Sequence, residues 1–389
     1  MRFSLRVLFV SGAMAMAAAV GSPVLAQTDM SGSTDIVGGT DHAPNRQLGS
    51  YESGRVIEAR LGTATTTHTG RLQQEYIVEL RSGPEKGARV TITSDVESNP
   101  YQLEPRAGDR VVIYALPDDQ GNIHHFLEGF DRRIPLLLLT GLFVLTMVLL
   151  AGWQGLKVAF SIGLSIAIIG LVLIPAFLKG ANPVPLALLL AGVLTFLSTG
   201  LSTGWNKQSF ITSVGTMGGV LVAYLISALF AGWSHLSGLS TEEDRLFFDQ
   251  NPKLNPSGLL FAGIIIAAMG VVEDVAVSIA SGVEQVRRAN PRLGFRELFR
   301  AGMIVGRDHT SALANTLVFA YVGASLSTLL LYSQYGGSWL KFLNFDTVTD
   351  EVVRSLAGTI GLIFTVPITG LLAAWAAGKN VRVGGIRRK

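Results

Sequence analysis

The chain has 389 residues, of which 49% are hydrophobic and only 15% are charged, and its mean hydropathy is +0.42. This composition is too apolar and too poor in charge for an ordinary soluble protein of this length, and it favours a membrane protein. The formal net charge of +3 is small and gives no sign of a nucleic-acid partner. The absence of cysteine excludes disulfides and thiolate metal sites.

The first 26 residues have the pattern of a secretory signal peptide. Arg2 and Arg6 precede a short apolar run, and residues 23–26 offer small or aliphatic side chains before a cleavage point at Gln27. Because the run is too short to span a membrane comfortably, cleavage is favoured over anchoring. Residues 27–50 are rich in small polar side chains and are expected to form a flexible exported linker.

Residues 51–130 are predicted to form a small exported all-β domain. Four segments have the composition of strands and are separated by turns rich in Gly, Pro and Asp. They comprise residues 76–80, 88–93, 110–114 and 123–127. A small antiparallel barrel of the OB or SH3 type fits this pattern.

Residues 131–389 are predicted to form a helical membrane domain with about seven transmembrane helices. Each apolar run is close to the roughly 20 residues that a span requires. The predicted spans are Ile134–Gly152, Val158–Leu178, Val184–Thr203, Phe210–Trp233, Gly258–Val283, Ser311–Tyr332 and Val353–Ala377.

Loop charges predict the orientation of these spans, because basic residues concentrate in cytoplasmic loops. Arginines crowd the loop between spans five and six, and the C-terminal tail is also basic, whereas the loops after spans four and six are acidic. Arg132 and Arg133, before span one, are the exception. Together with the signal peptide, this pattern predicts a bacterial inner-membrane protein with an exported β domain and a cytoplasmic C-terminus.

The basic loop between spans five and six is expected to contain a short amphipathic helix. From Phe295 to Met303, apolar residues alternate with Arg296, Glu297 and Arg300. Such a segment is typical of a helix that lies at the inner membrane surface. A plain solvated connector is the alternative.

Glu273 and Asp274 lie side by side in the middle of the predicted fifth span. A carboxylate at that depth costs about 3 kcal/mol on insertion scales, so proton relay, ion coordination or a polar contact between helices is expected. At helical spacing Asp274 shares a face with Ser278, whereas Glu273 points about 100° away.

A polar stretch from Gly306 to Thr316, at the entry to span six, contains His309, Asn315 and Thr316. Asn315 is the expected partner of Asp274, and Arg307 or His309 that of Glu284. Because no lysine or arginine lies deep in any span, burial would disfavour the charged form of Asp274, as a proton relay requires. The alternative is a permanently neutral Asp274 that joins helices by hydrogen bonds.

Hydroxyl and glycine residues concentrate at the end of span three and the start of span four. They occupy residues 198–204 and 212–219. Two interpretations fit this pattern: tight helix packing, with Gly215 and Gly219 as a small-residue pair, or the lining of a polar path.

The segments Met269–Ala280 and Gly306–Leu317 resemble the YibE/F-like membrane protein family, as do Gly83-Pro84, Gly108-Asp109 and Asp131-Arg132-Arg133. The resemblance extends from the β domain to the C-terminus and implies a multi-pass membrane protein.

A fainter likeness is to SecF and the RND permeases. They too have an aspartate-bearing span, a short inner helix and a Ser/Thr-rich return span in this order. The chain lacks their large exported domains and the lysine that many of the pumps carry on the return span. This likeness implies proton coupling by fold-level analogy alone.

These patterns favour a proton-coupled transporter or permease-like protein with Asp274 as its protonatable centre. The surrounding polar residues would be Glu273, Ser278, Asn315, Thr316 and His309. Expected partners are the lipid bilayer, protons, an unknown small solute, and either an exported protein at the β domain or a second copy. The alternative function is a non-transporting assembly or secretion accessory.

Nucleotide-binding, metalloprotease and hydrolase motifs do not occur in a suitable sequence context. An enzyme, a cofactor and a metal site are therefore not expected.

Overall fold

The computed structural model describes residues 49–61, 72–96, 103–118, 122–334 and 338–378. These residues fall into two compact units, one ending at Leu145 and the other beginning at Thr146. The predicted signal peptide, nearly all of the predicted linker and the basic C-terminal tail lie outside the described residues.

The first unit contains a five-stranded antiparallel sheet with the strand order β3-β2-β1-β4-β5. Its strands are β1 (Ser50–Leu61), β2 (Leu72–Leu80), β3 (Arg89–Val96), β4 (Arg110–Pro117) and β5 (Ile123–Phe130). The edge strands β3 and β5 also contact each other, so the sheet curls on itself. The strand-rich character is confirmed, while the OB or SH3 type stays a prediction.

The central strand β1 was not among the predicted strands. Its sequence carries charged residues on both sides of a single short apolar stretch, so period-two alternation is weak. Gly54 lets it sit in the middle of the sheet, because a Cβ there would lie 2.5 Å from Val78 Cγ1 and 2.7 Å from Ile113 Cδ1. Those two side chains fill the space above the glycine.

The core of this unit forms from alternate residues of neighbouring strands, as the pleat of a sheet dictates. Tyr76, Val78 and Leu80 of β2 are almost fully buried, and Val111 and Ile113 of β4 are equally enclosed. The correctly predicted strands β2 and β4 therefore supply most of the apolar core.

The second part of the chain is helical. The helices are α1 (Arg133–Ile168), α2 (Ile174–Leu178), α3 (Pro183–Thr203), α4 (Lys207–Trp233), α5 (Glu242–Gln250), α6 (Pro256–Ala289), α7 (Phe295–Ala324), α8 (Leu326–Gln334), α9 (Trp339–Leu343) and α10 (Asp346–Gly378). A π-helical turn, Ile169–Leu173, joins α1 to α2.

Five helical stretches among the described residues are long and apolar enough to cross a membrane, and a sixth is the pair α7–α8, bent by 61°. The membrane character of the chain is thus confirmed, but the predicted count of seven is not. The first two predicted spans fall within one stretch, Arg133–Leu178, because the helix resumes directly after Gly152. Gly152 adopts φ 57° and ψ −135°, which interrupts the helical geometry there.

Close contacts fix the relative directions of the helices in the second unit. Pro183 of α3 lies against Gly258 of α6, and Ser198 lies against Glu273, so α3 and α6 run in parallel. Helix α4 runs antiparallel to them and also packs against α10. Helix α6 is central, because it contacts α3, α4, α7 and α10.

The short amphipathic helix predicted from Phe295 to Met303 is not a separate element. A helix does begin at Phe295, but it continues without a break to Ala324, so the predicted span six begins within this helix. Leu298 is fully buried, and Gly302 and Gly306 allow close approach to α6 and α10. The segment therefore packs on the bundle, while its position at the membrane surface stays a prediction.

Candidate functional site

Glu273 lies in the middle of α6, at the contact between this helix and α3. It is partly buried, and its carboxyl group lies close to the hydroxyl of Ser198. The parallel packing of the two helices places these residues at the same level. The side chain of Glu273 is therefore an acidic group that the fold brings to a helix interface within a candidate membrane span.

Asp274 occupies a different face of the same helix. It is exposed on the outer side of the described bundle, and Gly270, one turn before it, is exposed as well. A Cβ at Gly270 would meet nothing within 4 Å. The buried face of α6 instead carries Val272, Val275 and other aliphatic side chains. Asp274, the predicted protonatable centre, is thus more exposed than Glu273.

The three predicted site residues of α7 also face outward. His309, Asn315 and Thr316 are exposed. His309 Nδ1 lies 3.2 Å from the Val305 carbonyl oxygen, and the Thr316 hydroxyl donates to the Ala312 carbonyl oxygen at 3.2 Å. Within the described part of the chain, no hydrogen bond joins Asn315 to Asp274. The structure places these residues on α7 without bringing them to the carboxylate pair.

Polar residues near the end of α6 interact mainly within their own helix. Glu284 forms an ion pair with Arg288 at 3.0 Å, one helical turn later. The expected partners Arg307 and His309 form no ion pair with Glu284 among the described residues. Ser278 is partly buried and lies one turn after Asp274, so it remains on the predicted face.

A row of hydroxyl groups lies between α3 and α4, and we call it the hydroxyl seam. It consists of Thr199, Thr203, Ser209 and Ser213. The hydroxyl oxygens of Thr199 and Ser213 are 3.2 Å apart, and those of Thr203 and Ser209 are 3.0 Å apart. The seam starts beside Ser198 and ends at Asn206, whose side chain accepts a hydrogen bond from the Ser209 backbone at 3.0 Å.

The glycines of α4 support the packing interpretation at the contact with α10. A Cβ at Gly215 would collide with Thr369, and one at Gly219 would collide with Thr365. Gly215 and Gly219 thus let the two helices approach closely, as small-xxx-small pairs do. The contacts support the packing interpretation, whereas the lining of a polar path stays a prediction.

The sequence pattern did not indicate several buried threonines near the contact between α4 and α10. Thr365 and Thr369 of α10 are completely buried, and the hydroxyls of Thr195, Thr216 and Thr369 have no hydrogen-bond partner among the described residues. Buried polar groups without partners are uncommon and often mark functional regions. The spacing of four between Thr365 and Thr369 was the available signal, since it places both on one helix face.

A second polar cluster at the opposite end of the bundle was also missed. Asp350, near the start of α10, is only 6% exposed and accepts a hydrogen bond from the Ser240 hydroxyl. Thr347 donates to the backbone oxygen of Ser240 at 2.8 Å. These contacts fasten the segment before α5 to α10. In the sequence, Asp350 is only one of several acidic residues in the loop after span six.

Comparison with protein-family models matches residues 139–379, more than half of the chain, to the YibE/F-like protein model. Searches of curated proteins and of solved structures gave no significant match. The likeness to SecF and the RND permeases is not shown by these comparisons. The match covers the candidate spans from α1 to α10 and includes both carboxylates. The chain is therefore a membrane protein that belongs to the YibE/F-like family.

Proposed function

We propose that this protein is a proton-coupled transporter of a small solute, and that Glu273 is its proton-binding group. The observation that carries the proposal is the contact between Glu273 and Ser198 at the α3–α6 interface. An ionisable side chain inside a membrane-spanning bundle is costly and by default marks a functional site. Here it also has a neighbouring hydroxyl row that leads along the bundle.

Protonation of Glu273 would change the interaction across the α3–α6 interface. An ionised carboxylate only accepts hydrogen bonds, so Ser198 must donate to it, whereas a neutral carboxyl group can also donate. A change of charge in a region of low dielectric also alters the free energy of any helix arrangement that hydrates the group differently. Binding of a proton can thereby favour one arrangement of α3 against α6.

The hydroxyl seam supports a route between Glu273 and the end of the bundle at Asn206. The paired hydroxyls of Thr199 with Ser213, and of Thr203 with Ser209, provide donors and acceptors along the interface of α3 and α4. Such groups can solvate a proton or a polar solute where aliphatic side chains cannot. In this proposal Asp274 acts as the neighbouring charge rather than as the centre.

The finer features of the membrane arrangement belong to the same proposal. The break at Gly152 divides Arg133–Leu178 into two shorter helices, which would give seven spans if the bent pair α7–α8 is also counted once. Loop charges favour a cytoplasmic C-terminus, an exported β domain and a place in the bacterial inner membrane. The proposal assigns no enzymatic reaction to the chain.

A ligand screen on the full-length protein in lipid nanodiscs tests the proposal. Thermal stability is measured at about pH 5.5 and pH 8, on either side of the range in which a desolvated carboxyl group exchanges protons. Metal ions, small anions, amino acids and lipophilic drugs serve as probes. The expected result is a pH-dependent stabilisation by one class that is lost in Glu273→Gln and kept in Glu284→Gln. Equal behaviour of all three proteins contradicts the proposal.

The second candidate function is a non-transporting assembly or secretion accessory. It is favoured by the outward orientation of Asp274 and of Asn315, since polar groups on the surface of a membrane bundle require partners. In that case the carboxylate joins helices of another protein by hydrogen bonds. Asp274→Asn keeps those bonds and should preserve a co-purifying complex, whereas Asp274→Leu should release it.

A further inference from the structure

A cavity of about 530 Å³ opens between the start of α4 and the ends of α6 and α10. It lies at the end of the bundle where the hydroxyl seam terminates, because Asn206 lines both. Loop charges predict that this end faces the cytoplasm. The route in the transport proposal ends beside this cavity, but that proposal assigns no ligand to it.

The cavity is strongly cationic. Lys207 approaches from α4, and Arg287 and Arg288 approach from α6. Glu284 is the acidic residue of the lining, and it is paired with Arg288 at 3.0 Å. Lys207 and Arg287 form no ion pair with any other described residue. The lining therefore carries two positive charges in excess, and these lie on two different helices.

The start of α4 adds to this positive potential. The first backbone N–H groups of a helix lack intrahelical partners, and the helix dipole favours negative charge at this end. Asn206 caps one of these groups with its side chain, while Lys207 and Gln208 follow directly on the cavity wall. Cationic side chains and a helix start thus converge on one volume.

Part of the cavity lining is apolar. Ala373 and Ala377 from α10 and Ile211 from α4 contribute to it. A fully hydrated ion would gain no binding free energy from the apolar part of the lining. An amphiphile with an anionic headgroup would interact favourably with both the cationic and the apolar parts of the lining. Its phosphate would contact the cations, and its glycerol and upper chain segments would cover the alanines.

We propose that this cavity binds a phosphate group, with an anionic membrane phospholipid as its source. Basic pockets between helices on the cytoplasmic side suit phosphate headgroups, and arginine is well shaped for them because its guanidinium offers a planar set of donors. The phosphate would lie between Lys207 and Arg287. The Glu284–Arg288 pair would form the outer wall.

The test uses the full-length protein in nanodiscs made of phosphatidylcholine alone or of phosphatidylcholine with phosphatidylglycerol. Bound lipid is counted by native mass spectrometry, and the thermal unfolding midpoint is measured in parallel. The pocket variant combines Lys207→Gln with Arg287→Gln. The matched control combines Arg292→Gln with Arg296→Gln, which removes two exposed arginines outside the cavity. Both variants lose the same charge, so general attraction to an anionic bilayer is equal in the two.

The wild type and the control should retain phosphatidylglycerol and unfold at a higher temperature in its presence. The pocket variant should bind phosphatidylglycerol at least about tenfold more weakly than the wild type, which corresponds to about 1.4 kcal/mol. The single variant Arg287→Lys keeps both positive charges and should bind it more tightly than the pocket variant does. A separate arm adds inorganic phosphate to the phosphatidylcholine discs. Stabilisation there that depends on Arg287 would keep the phosphate site but make its source the free anion.

Equal loss of lipid in the pocket variant and the control would overturn the inference, as would the absence of any effect of lipid or phosphate. The outcome is separable from that of the transport proposal, because Glu273→Gln leaves this lining intact. A variant at Glu273 should therefore bind phosphatidylglycerol as the wild type does.

Discussion

Replacement of Gly219 by alanine should destabilise the bundle at the contact between α4 and α10. A Cβ at this position would collide with the Thr365 hydroxyl, and it would lie 2.8 Å from Val272 Cγ1 and 3.0 Å from the Gly361 carbonyl oxygen. The Gly361 oxygen belongs to the backbone of a packed helix and cannot move alone. Three contacts from two helices must therefore shift together.

The expected cost follows from these contacts. Overpacking of a well-packed interior typically costs about 1 to 3 kcal/mol, which exceeds the gain of about 1 kcal/mol from replacing glycine by alanine within a helix. Gly263 of α6 is the matched control, because a Cβ there meets nothing within 4 Å. Gly263→Ala should keep the propensity gain and leave the protein unchanged or slightly more stable.

Thermal unfolding of the two variants in nanodiscs, at one heating rate, measures this difference. The double variant Gly219→Ala with Thr365→Ala should recover part of the lost stability, since it removes the collision with the threonine side chain. If Gly219→Ala is as stable as Gly263→Ala, the close packing of α4 against α10 is refuted.

Two further changes test polar contacts outside this interface. Ser240→Ala should lower the free energy of unfolding by about 1 to 3 kcal/mol, because the buried Asp350 loses the hydroxyl that hydrogen-bonds to it. Ser240→Thr keeps a hydroxyl and should retain most of this stability. The unfolding midpoint measures both effects. The Arg133 guanidinium hydrogen-bonds to Asp131 and holds the pKa of Asp131 below its usual range. Because the folded-state pKa is lowered, this carboxylate contributes stability above its unfolded pKa of about 3.9. The contribution is lost as the pH falls through the folded-state value. Unfolding midpoints of wild type and Asp131→Asn should therefore differ at neutral pH and converge in acid.

The sequence predicted those elements whose local pattern agrees with their environment. Strands β2 and β4 each contain a short run of apolar residues rich in β-branched and aromatic side chains, and the inward-facing residues of these runs supply most of the buried core. The strand β1 lacks such a run, and its central position in the sheet depends on Gly54 and on neighbours distant in sequence. Such a position depends on tertiary contacts that no local pattern reports.

The candidate site shows the same division. Helical geometry predicts that Glu273 and Asp274 point about 100° apart, and a carboxylate pair in an apolar run was visible without a structure. Which of the two carboxylates faces a neighbouring helix depends on the packing of α6 against α3. In the structure Glu273 faces α3. Likewise, the continuation of α7 through Met303 depends on Leu298 being buried in the bundle.

The central claim is that Glu273 changes its protonation state inside the bundle, and infrared difference spectroscopy tests it most directly. Spectra of the protein in nanodiscs are recorded between about pH 5.5 and pH 8, and the carbonyl stretch of protonated carboxyl groups is followed. The account predicts a band that titrates in the wild type and in Glu284→Gln and that disappears in Glu273→Gln. An unchanged titrating band in Glu273→Gln, or its loss only in Asp274→Asn, would contradict the account.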